Sequence, residues 1–290
     1  MAIQQYKPLS GFKNFNDFFH ALASKSYPFF AAAHRGICGN VPENSIKAFQ
    51  ECFRQNVYII EIDIQRSKDG HLIVMHDITV NRMTNSEGRI SELSLEQLQI
   101  LFLKEKSGGI GAKLTNEKIP TLKEVLLLAK GRALLNLDKA WEYREEIYNL
   151  VEETGTFDHV LLKSGEPIAK VAAFLQSKPK PLHYMHKLQD SNLYELDDLI
   201  ARILPLAIEI LFAHETDEVV SKPVLAKMRN ASNVWVNALD TGENAHHTDS
   251  LSLLEPDKGW GWFLDQHMNI IQTDYAAEIM EYAERWKSKA

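Results

Sequence analysis

The chain has 290 residues, 45% of them hydrophobic and 24% charged, with a formal net charge of -7 at pH 7. That balance suits a single globular α/β domain of about 250 residues with trimmings, and excludes sequence-independent nucleic-acid binding, which needs a basic field. No run reaches the roughly 18 apolar residues of a membrane span, the first residues lack a signal-peptide pattern, and two cysteines, Cys38 and Cys52, make no disulfide framework, so the expectation is a cytoplasmic protein without an integral membrane segment.

Residues 1–28 read as an N-terminal helical extension. Phe15, Phe18, Phe19 and Leu22 give the segment Phe12 to Leu22 the spacing of a short amphipathic helix. The apolar run Phe29 to Ala33 then reads as a strand ending at His34. An imidazole titrates near neutrality and suits proton transfer, and the adjacent Arg35 guanidinium suits a pair of phosphate oxygens. Asn44 or Ser45 can cap a helix with the face Ile46, Phe49 and Phe53, ending near Gln55-Asn56.

Tyr58 to Gln65 alternates strictly. Tyr58, Ile60, Ile62 and Ile64 share one face of a strand, and Glu61, Asp63 and Gln65 share the other. Two like charges roughly 6 to 7 Å apart on a buried face repel and lose hydration, and a divalent cation with oxygen ligands compensates them most cheaply. The structural alternative is a salt-bridged pair on an edge strand. Asp69-Gly70 signals a two-residue hairpin turn, which is expected to bring His76 opposite Glu61, on the same face and roughly 5 Å away.

From Ile78 to Lys118 the pattern loosens into turns, a capping box at Ser94-Leu95-Glu96-Gln97 and the run Ser107-Gly108-Gly109-Ile110-Gly111. Alternation resumes with a helix capped by Thr121 and Glu124, whose face is Leu122, Val125, Leu126 and Ala129. Strands are then expected over Ala133 to Asp138, His159 to Lys163, Leu182 to His186, Ile208 to Phe212, Val234 to Leu239 and Asn269 to Thr273. Helices fall between them at Trp141 to Thr154, Pro167 to Gln176, Leu193 to Leu204, Lys222 to Arg229 and Gly259 to Gln266, and a last one at Tyr275 to Trp286. Without the second hairpin arm the strands number about eight. The fold class is therefore α/β, a (β/α)8 TIM barrel over 29–290 with a small inserted cap at 78–118 after the second barrel strand.

Active sites of this fold lie at the C-terminal mouth, and His34, Asp63, Asp138, Lys163, His186, His214 and Asn237 to Asp240 all stand at strand ends. Lys163 closes an apolar strand, where it either meets a phosphate or snorkels to the surface. His186 and His214 read more readily as rim or hydrogen-bonded core residues than as catalytic ones. The loop Ala245-His246-His247-Thr248-Asp249 has zinc-like ligand types but lacks the spaced third and fourth ligands of a structural site. Trp235 and Tyr184 can wall a pocket for a substrate alcohol group, or simply belong to the core.

The fragments His34-Arg35-Gly36, Pro42-Glu43-Asn44-Ser45, Glu61-Ile62-Asp63, Lys68-Asp69-Gly70, His76-Asp77, Asn81 to Asn85, Ile119 to Leu122 and Gln272-Thr273-Asp274-Tyr275, in this order, resemble the glycerophosphodiester phosphodiesterase family. The resemblance covers nearly all of the chain after about residue 30. It implies metal-dependent hydrolysis of a small glycerophosphodiester to an alcohol and glycerol 3-phosphate. In that reading Glu61 and Asp63 hold the cation (Mg²⁺ or Ca²⁺, with Mn²⁺ possible in kind), His34 and His76 divide acid and base duties, and Arg35, Lys163 and Trp235 contact substrate. Two alternatives stay open: a lysophospholipase D-like relative, which an apolar lip on the cap would favour, and a non-catalytic phosphoester-binding barrel. The sequence carries no signal for the leaving alcohol, the metal or an oligomeric state.

One strand departs from the family pattern. Relatives commonly end it in Glu-x-Lys, both side chains inward, whereas this chain reads Leu135-Asn136-Leu137-Asp138-Lys139. By alternation Leu134, Asn136 and Asp138 face inward, and Leu135, Leu137 and Lys139 turn toward the helices. A neutral amide oxygen can ligate Mg²⁺ or Ca²⁺ but adds no charge. The expectation is therefore Asp138 as third metal ligand, Asn136 in support, and Lys163 in place of the missing lysine.

Overall fold

The structure is a computed structural model that describes residues 11–27 and 29–287. Residues 1–10 of the N-terminal segment and Pro28 lie outside the described residues. Eight parallel strands close into a barrel: β1 (Phe30–His34), β2 (Ile59–Arg66), β4 (Leu134–Asp138), β5 (Val160–Ser164), β6 (His183–Leu188), β7 (Ala207–Ile210), β8 (Asn233–Asn237) and β9 (Ile270–Thr273). Closure comes from β1, which pairs with β2 on one side and β9 on the other. The short β3 (Leu72–Val74) hangs antiparallel on the far end of β2 and belongs to no barrel wall.

Alternation sorts each strand into two environments. Ile60, Ile62, Ile64, Leu135 and Leu137 join the large outer core against the helices, while Ile59, Leu134, Leu161, Met185, Trp235 and Ile270 fill the lower interior. Burial of such aliphatic and aromatic side chains is the dominant stabilisation, roughly 1.5–3 kcal/mol for each. The helix α1 (Phe15–Ala23) closes the barrel floor. Asn14 caps it by accepting from the Asp17 N–H, and Phe15, Phe18 and Leu22 pack up into the interior aromatics and aliphatics.

The helices follow their local signals closely. Ser45 caps α2 (Ile46–Arg54), and its buried face is Ala48, Phe49 and Cys52, with Ile46 and Phe53 at its margins. Capping boxes at Ser94 and Thr121 open α3 (Leu95–Gln99) and α4 (Leu122–Ala129). Further round the barrel come α5 (Arg144–Thr154), α6 (Ile168–Gln176), α7 (Leu196–Arg202) and α8 (Lys222–Ala231). The expected helix starts at Trp141 and Leu193 are 3-10 turns that lead into α5 and α7. An unforeseen helix, α9 (Asp249–Leu254), is capped by Thr248 and precedes α10 (Trp260–Asp265) and α11 (Ala276–Lys287).

The segment 78–118 packs onto β3 and its flanks around a small separate core of Ile73, Met75, Val80, Met83, Ile90, Leu98, Leu103 and Ile119. No helix among the described residues is long and apolar enough to cross a membrane.

Candidate active site

Above the apolar floor, the interior of the barrel turns polar. Glu61 and Asp63 point inward from β2, as the alternation requires, and their neighbours in the parallel ladder are Asn136 and Asp138 of β4. Carboxylate oxygens of Glu61, Asp63 and Asp138 lie within 4.8 Å of one another. This is a hard oxygen set of the kind that Mg²⁺, Ca²⁺ or Mn²⁺ takes.

The three carboxylates are compensated unequally. Asp63 accepts from Asn44 Nδ2 at 3.0 Å and lies 3.4 Å from Arg35 Nε and 3.0 Å from Lys139 Nζ. Asp138 lies 3.3 Å from Lys163 Nζ and 3.5 Å from Lys187 Nζ. Although burial works to raise it, these two ammonium groups hold its carboxyl well below the usual range. Among the described residues, Glu61 accepts only a main-chain hydrogen bond, from Arg35 N–H at 3.2 Å. Burial, with Asp63 beside it, pushes its pKa up to about 8. Next to it Asn136 is fully buried with neither amide atom bonded to protein. Unbonded buried polar atoms are rare, and an ionised carboxylate without a cation is costly. Both features fit a cation held by Glu61, Asp63 and Asp138, with the Asn136 amide at hand.

The loop after β1 is shaped for this site. Arg35 adopts φ +59 and Gly36 φ +85, and a Cβ on Gly36 would press on Ala48 at 2.9 Å. That tight turn lets Arg35 reach back over Asp63 and donate to Glu43 at 3.0 Å. Asn44 is spared for Asp63 because Ser45 does the helix capping. Arg82 from the cap also donates to Glu43, at 2.7 Å, and grips Asp77 through Nε and Nη2 at 2.8 and 2.9 Å.

His34 ends β1 with Nε2 4.0 Å from Glu61 Oε2 and Nδ1 2.7 Å from Asp274 Oδ1. Burial alone would lower its pKa, but the Asp274 hydrogen bond and the nearby carboxylates outweigh it and raise the pKa. His76 stands at the rim, with Nδ1 2.7 Å from Asp77 Oδ1.

The register that carries His76 differs from the expectation. Ser67 N–H donates to His71 O and Gly70, at φ +87, donates to Ser67 O, so Lys68, Asp69 and Gly70 form a three-residue loop. The ladder pairs Ile64 with Val74, and Met75 N–H donates to Asp63 O. His76 is thus level with Ile62, not opposite Glu61, and it comes to the site past the end of β3. Its carbonyl accepts from Lys139 Nζ at 2.8 Å, which ties it to the Asp63 side of the cluster.

Lys139 is a second correction. It follows the last residue of β4 with φ +55, which breaks the alternation and sends its ammonium back over the mouth instead of toward the helices. Trp235 is a third. It is wholly buried in the floor layer and donates its indole N–H to Asn237 Oδ1, so it has no exposed face with which to wall a substrate pocket. Tyr184 and His186 lie in the wall behind the mouth, where Tyr184 OH meets His186 Nδ1 and Ser164 Oγ, each at 2.7 Å. His214 is exposed on the surface, and His247 stacks on Trp262 with ring centroids 4.0 Å apart.

Lys163 is buried between Asp138 and Glu209 Oε2, 3.6 Å away, and Asn237 Nδ2 donates to the other Glu209 oxygen at 2.8 Å. A cleft of about 500 Å³ opens beside it, lined by Asp138, Lys139, Trp141, Glu142, Lys163, Glu166 and Lys187 among others. Asp274, Glu209, Lys139, Lys187 and Arg82 had no assigned role in the sequence. Asp274 and Arg82 did carry a signal, as parts of the Gln272-Thr273-Asp274-Tyr275 and Asn81 to Asn85 fragments.

The chain is similar to several known proteins. A glycerophosphodiester phosphodiesterase of Caldanaerobacter subterraneus subsp. tengcongensis is 44% identical over 109 residues, which span 37% of this chain and only 43% of that protein. A crystal structure of a glycerophosphoryl diester phosphodiesterase from Parabacteroides distasonis superposes with a TM-score of 0.73 at 22% identity, covering 94% of this chain and 93% of that one. An Oleispira antarctica phosphodiesterase in complex with the product sn-glycerol-3-phosphate superposes with a TM-score of 0.60 at 20% identity over 90% of this chain and 99% of that one. At these identities the two superpositions speak for the barrel alone. The sequence is more specific: residues 34–240, from the His-Arg-Gly turn to the loop after β8, match the Glycerophosphoryl diester phosphodiesterase family, and the chain belongs to that family.

Proposed function

We propose that this protein hydrolyses glycerophosphodiesters to an alcohol and glycerol 3-phosphate with a divalent cation. The observation that carries the reading is the convergence of Glu61, Asp63 and Asp138 within 4.8 Å, with His34 on one side and His76 at the rim on the other. The cation, when bound, supplies positive charge to a phosphoryl oxygen and makes a glycerol hydroxyl or water more acidic.

The chain's own residues do the rest. Nδ1 of each histidine is taken up by a carboxylate, Asp274 for His34 and Asp77 for His76, so Nε2 of each is the nitrogen left to accept or donate a proton. Arg35, Lys163 and Lys187 face the mouth as fixed positive charges for the phosphoryl oxygens, where preorganised donors act most strongly. The cleft beside Trp141, Glu142 and Glu166 is the space into which the leaving alcohol extends.

A lysophospholipid is the second reading. It is favoured by exposed Ile78, Ile100, Phe102, Ile110 and Leu114 on the cap, an apolar margin that an acyl chain can cover. The test is release of glycerol 3-phosphate from glycerophosphodiesters, with and without chelator and with added Mg²⁺, Ca²⁺ or Mn²⁺. Chelation should abolish turnover and a cation restore it. Release of choline from lysophosphatidylcholine alone would shift the assignment to the lipid substrate, and binding of glycerol 3-phosphate without turnover under any cation would leave a binding barrel.

A further inference from the structure

His34 and Asp274 lie 240 positions apart and meet because the barrel closes. Ala33 of β1 pairs with Thr273 of β9, so the residues that follow, His34 and Asp274, emerge side by side at the rim. Nδ1 of His34 is 2.7 Å from Asp274 Oδ1. The Asp274 side chain is half exposed, yet its place is fixed from beneath. Its main-chain N–H donates to Asp249 Oδ2 at 2.8 Å, and the same buried carboxylate accepts from Thr273 Oγ1 at 2.5 Å and Trp260 Nε1 at 3.0 Å.

We propose that Asp274 is the positioning residue of His34, and that Asp249 is the buried brace that sets Asp274. A carboxylate oxygen accepts and does not donate, so Nδ1 must carry hydrogen and Nε2 is presented to Glu61 and the reacting groups. Without that acceptor the imidazole exchanges tautomers and rotates, because among the described residues the polar contact that holds His34 Nε2 is a 4.0 Å approach to Glu61. His76 is held by the same logic from a different source: its acceptor is the next residue, Asp77, itself clamped by Arg82. The inference rests on the proposed role of His34 in phosphodiester hydrolysis.

The test is Asp274→Asn, in full-length protein with Mg²⁺ bound, read by kinetics and by ¹⁵N resonances of the His34 ring. An amide can donate to Nδ1 and so favours the opposite tautomer. The expected result is a shift of the proton from Nδ1 to Nε2 and a fall in kcat of roughly 10² or more with KM nearly unchanged. Asp274→Glu should recover part of kcat, and Asp274→Ala should lose it without the defined tautomer shift. Unchanged kcat in Asp274→Asn, or a loss of kcat with the His34 tautomer unmoved, overturns the proposal. Full activity in His34→Ala would instead overturn the catalytic role of His34, while the tautomer shift in Asp274→Asn would still report the contact.

Discussion

Lys163 Nζ lies 3.3 Å from Asp138 Oδ1 and 3.6 Å from Glu209 Oε2, so a buried ammonium joins a carboxylate of the candidate metal centre on β4 to one on β7, three strands away. Burial penalises the ammonium, but the two carboxylates more than offset this and raise its pKa. We infer that the role of the Glu-x-Lys strand expected from relatives is redistributed over three strands here. Asn136 and Asp138 of β4 face the centre, and Lys163 of β5 and Lys187 of β6 come to Asp138.

That redistribution predicts a division of labour. Asp138→Ala should weaken cation binding, measured by titration calorimetry, far more than Asn136→Ala, since only the first removes charge. Lys163→Ala should slow turnover while the cation still binds. Unchanged cation affinity in Asp138→Ala would show that the third ligand lies elsewhere.

His34→Ala and His76→Ala should each reduce kcat by roughly 10² or more with the fold intact, as loss of a general acid or base does. Circular dichroism with steady-state kinetics checks this. A variant with near-normal kcat removes that histidine from the mechanism.

Stability should fall in mild acid because of His186. It is fully buried, and burial pushes its pKa down to about 4 from the ordinary 6.5. The unfolded chain therefore binds the proton more readily between those values. Stability is complete above about 6.5 and declines as pH falls toward 4, by at most about 3 kcal/mol from this group. Urea unfolding of wild type and His186→Gln across pH 4 to 7 isolates its share. Parallel pH curves for the two proteins would contradict the assignment.

The cap should be coupled to the mouth through Arg82. Gly108 sits at φ +67, and a methyl there would overlap the Arg82 carbonyl and crowd Met83 Sδ at 2.7 Å. Gly109 N–H also donates to Arg82 O at 2.8 Å, while the Arg82 guanidinium holds Asp77 and Glu43. Gly108→Ala should cost about 1–3 kcal/mol and lower kcat/KM more than Gly111→Ala, whose added methyl meets open space. Equal kinetics in the two variants would sever the cap from the site.

What the sequence determined by itself is what short-range rules control. Strand alternation placed Glu61, Asp63, Asn136 and Asp138 on one face, because successive side chains of a strand point opposite ways. Ser94 and Thr121 marked their helix starts, because a side-chain oxygen and a Glu or Gln three residues on satisfy free N–H groups. Regular exchange of strand and helix counted out the eight-stranded barrel.

Tertiary structure decided what depends on loop length, depth and closure. The three-residue hairpin loop set His76 level with Ile62, since one residue of register turns a side chain to the other face. The sequence left Trp235 open as pocket wall or core, because its height in the barrel depends on strand stagger, which put it in the floor. Lys139 escaped the alternation because its positive φ lies beyond the strand's last residue. Asp274 reached His34 only because β9 pairs with β1, a contact between the two ends of the chain that no local pattern encodes.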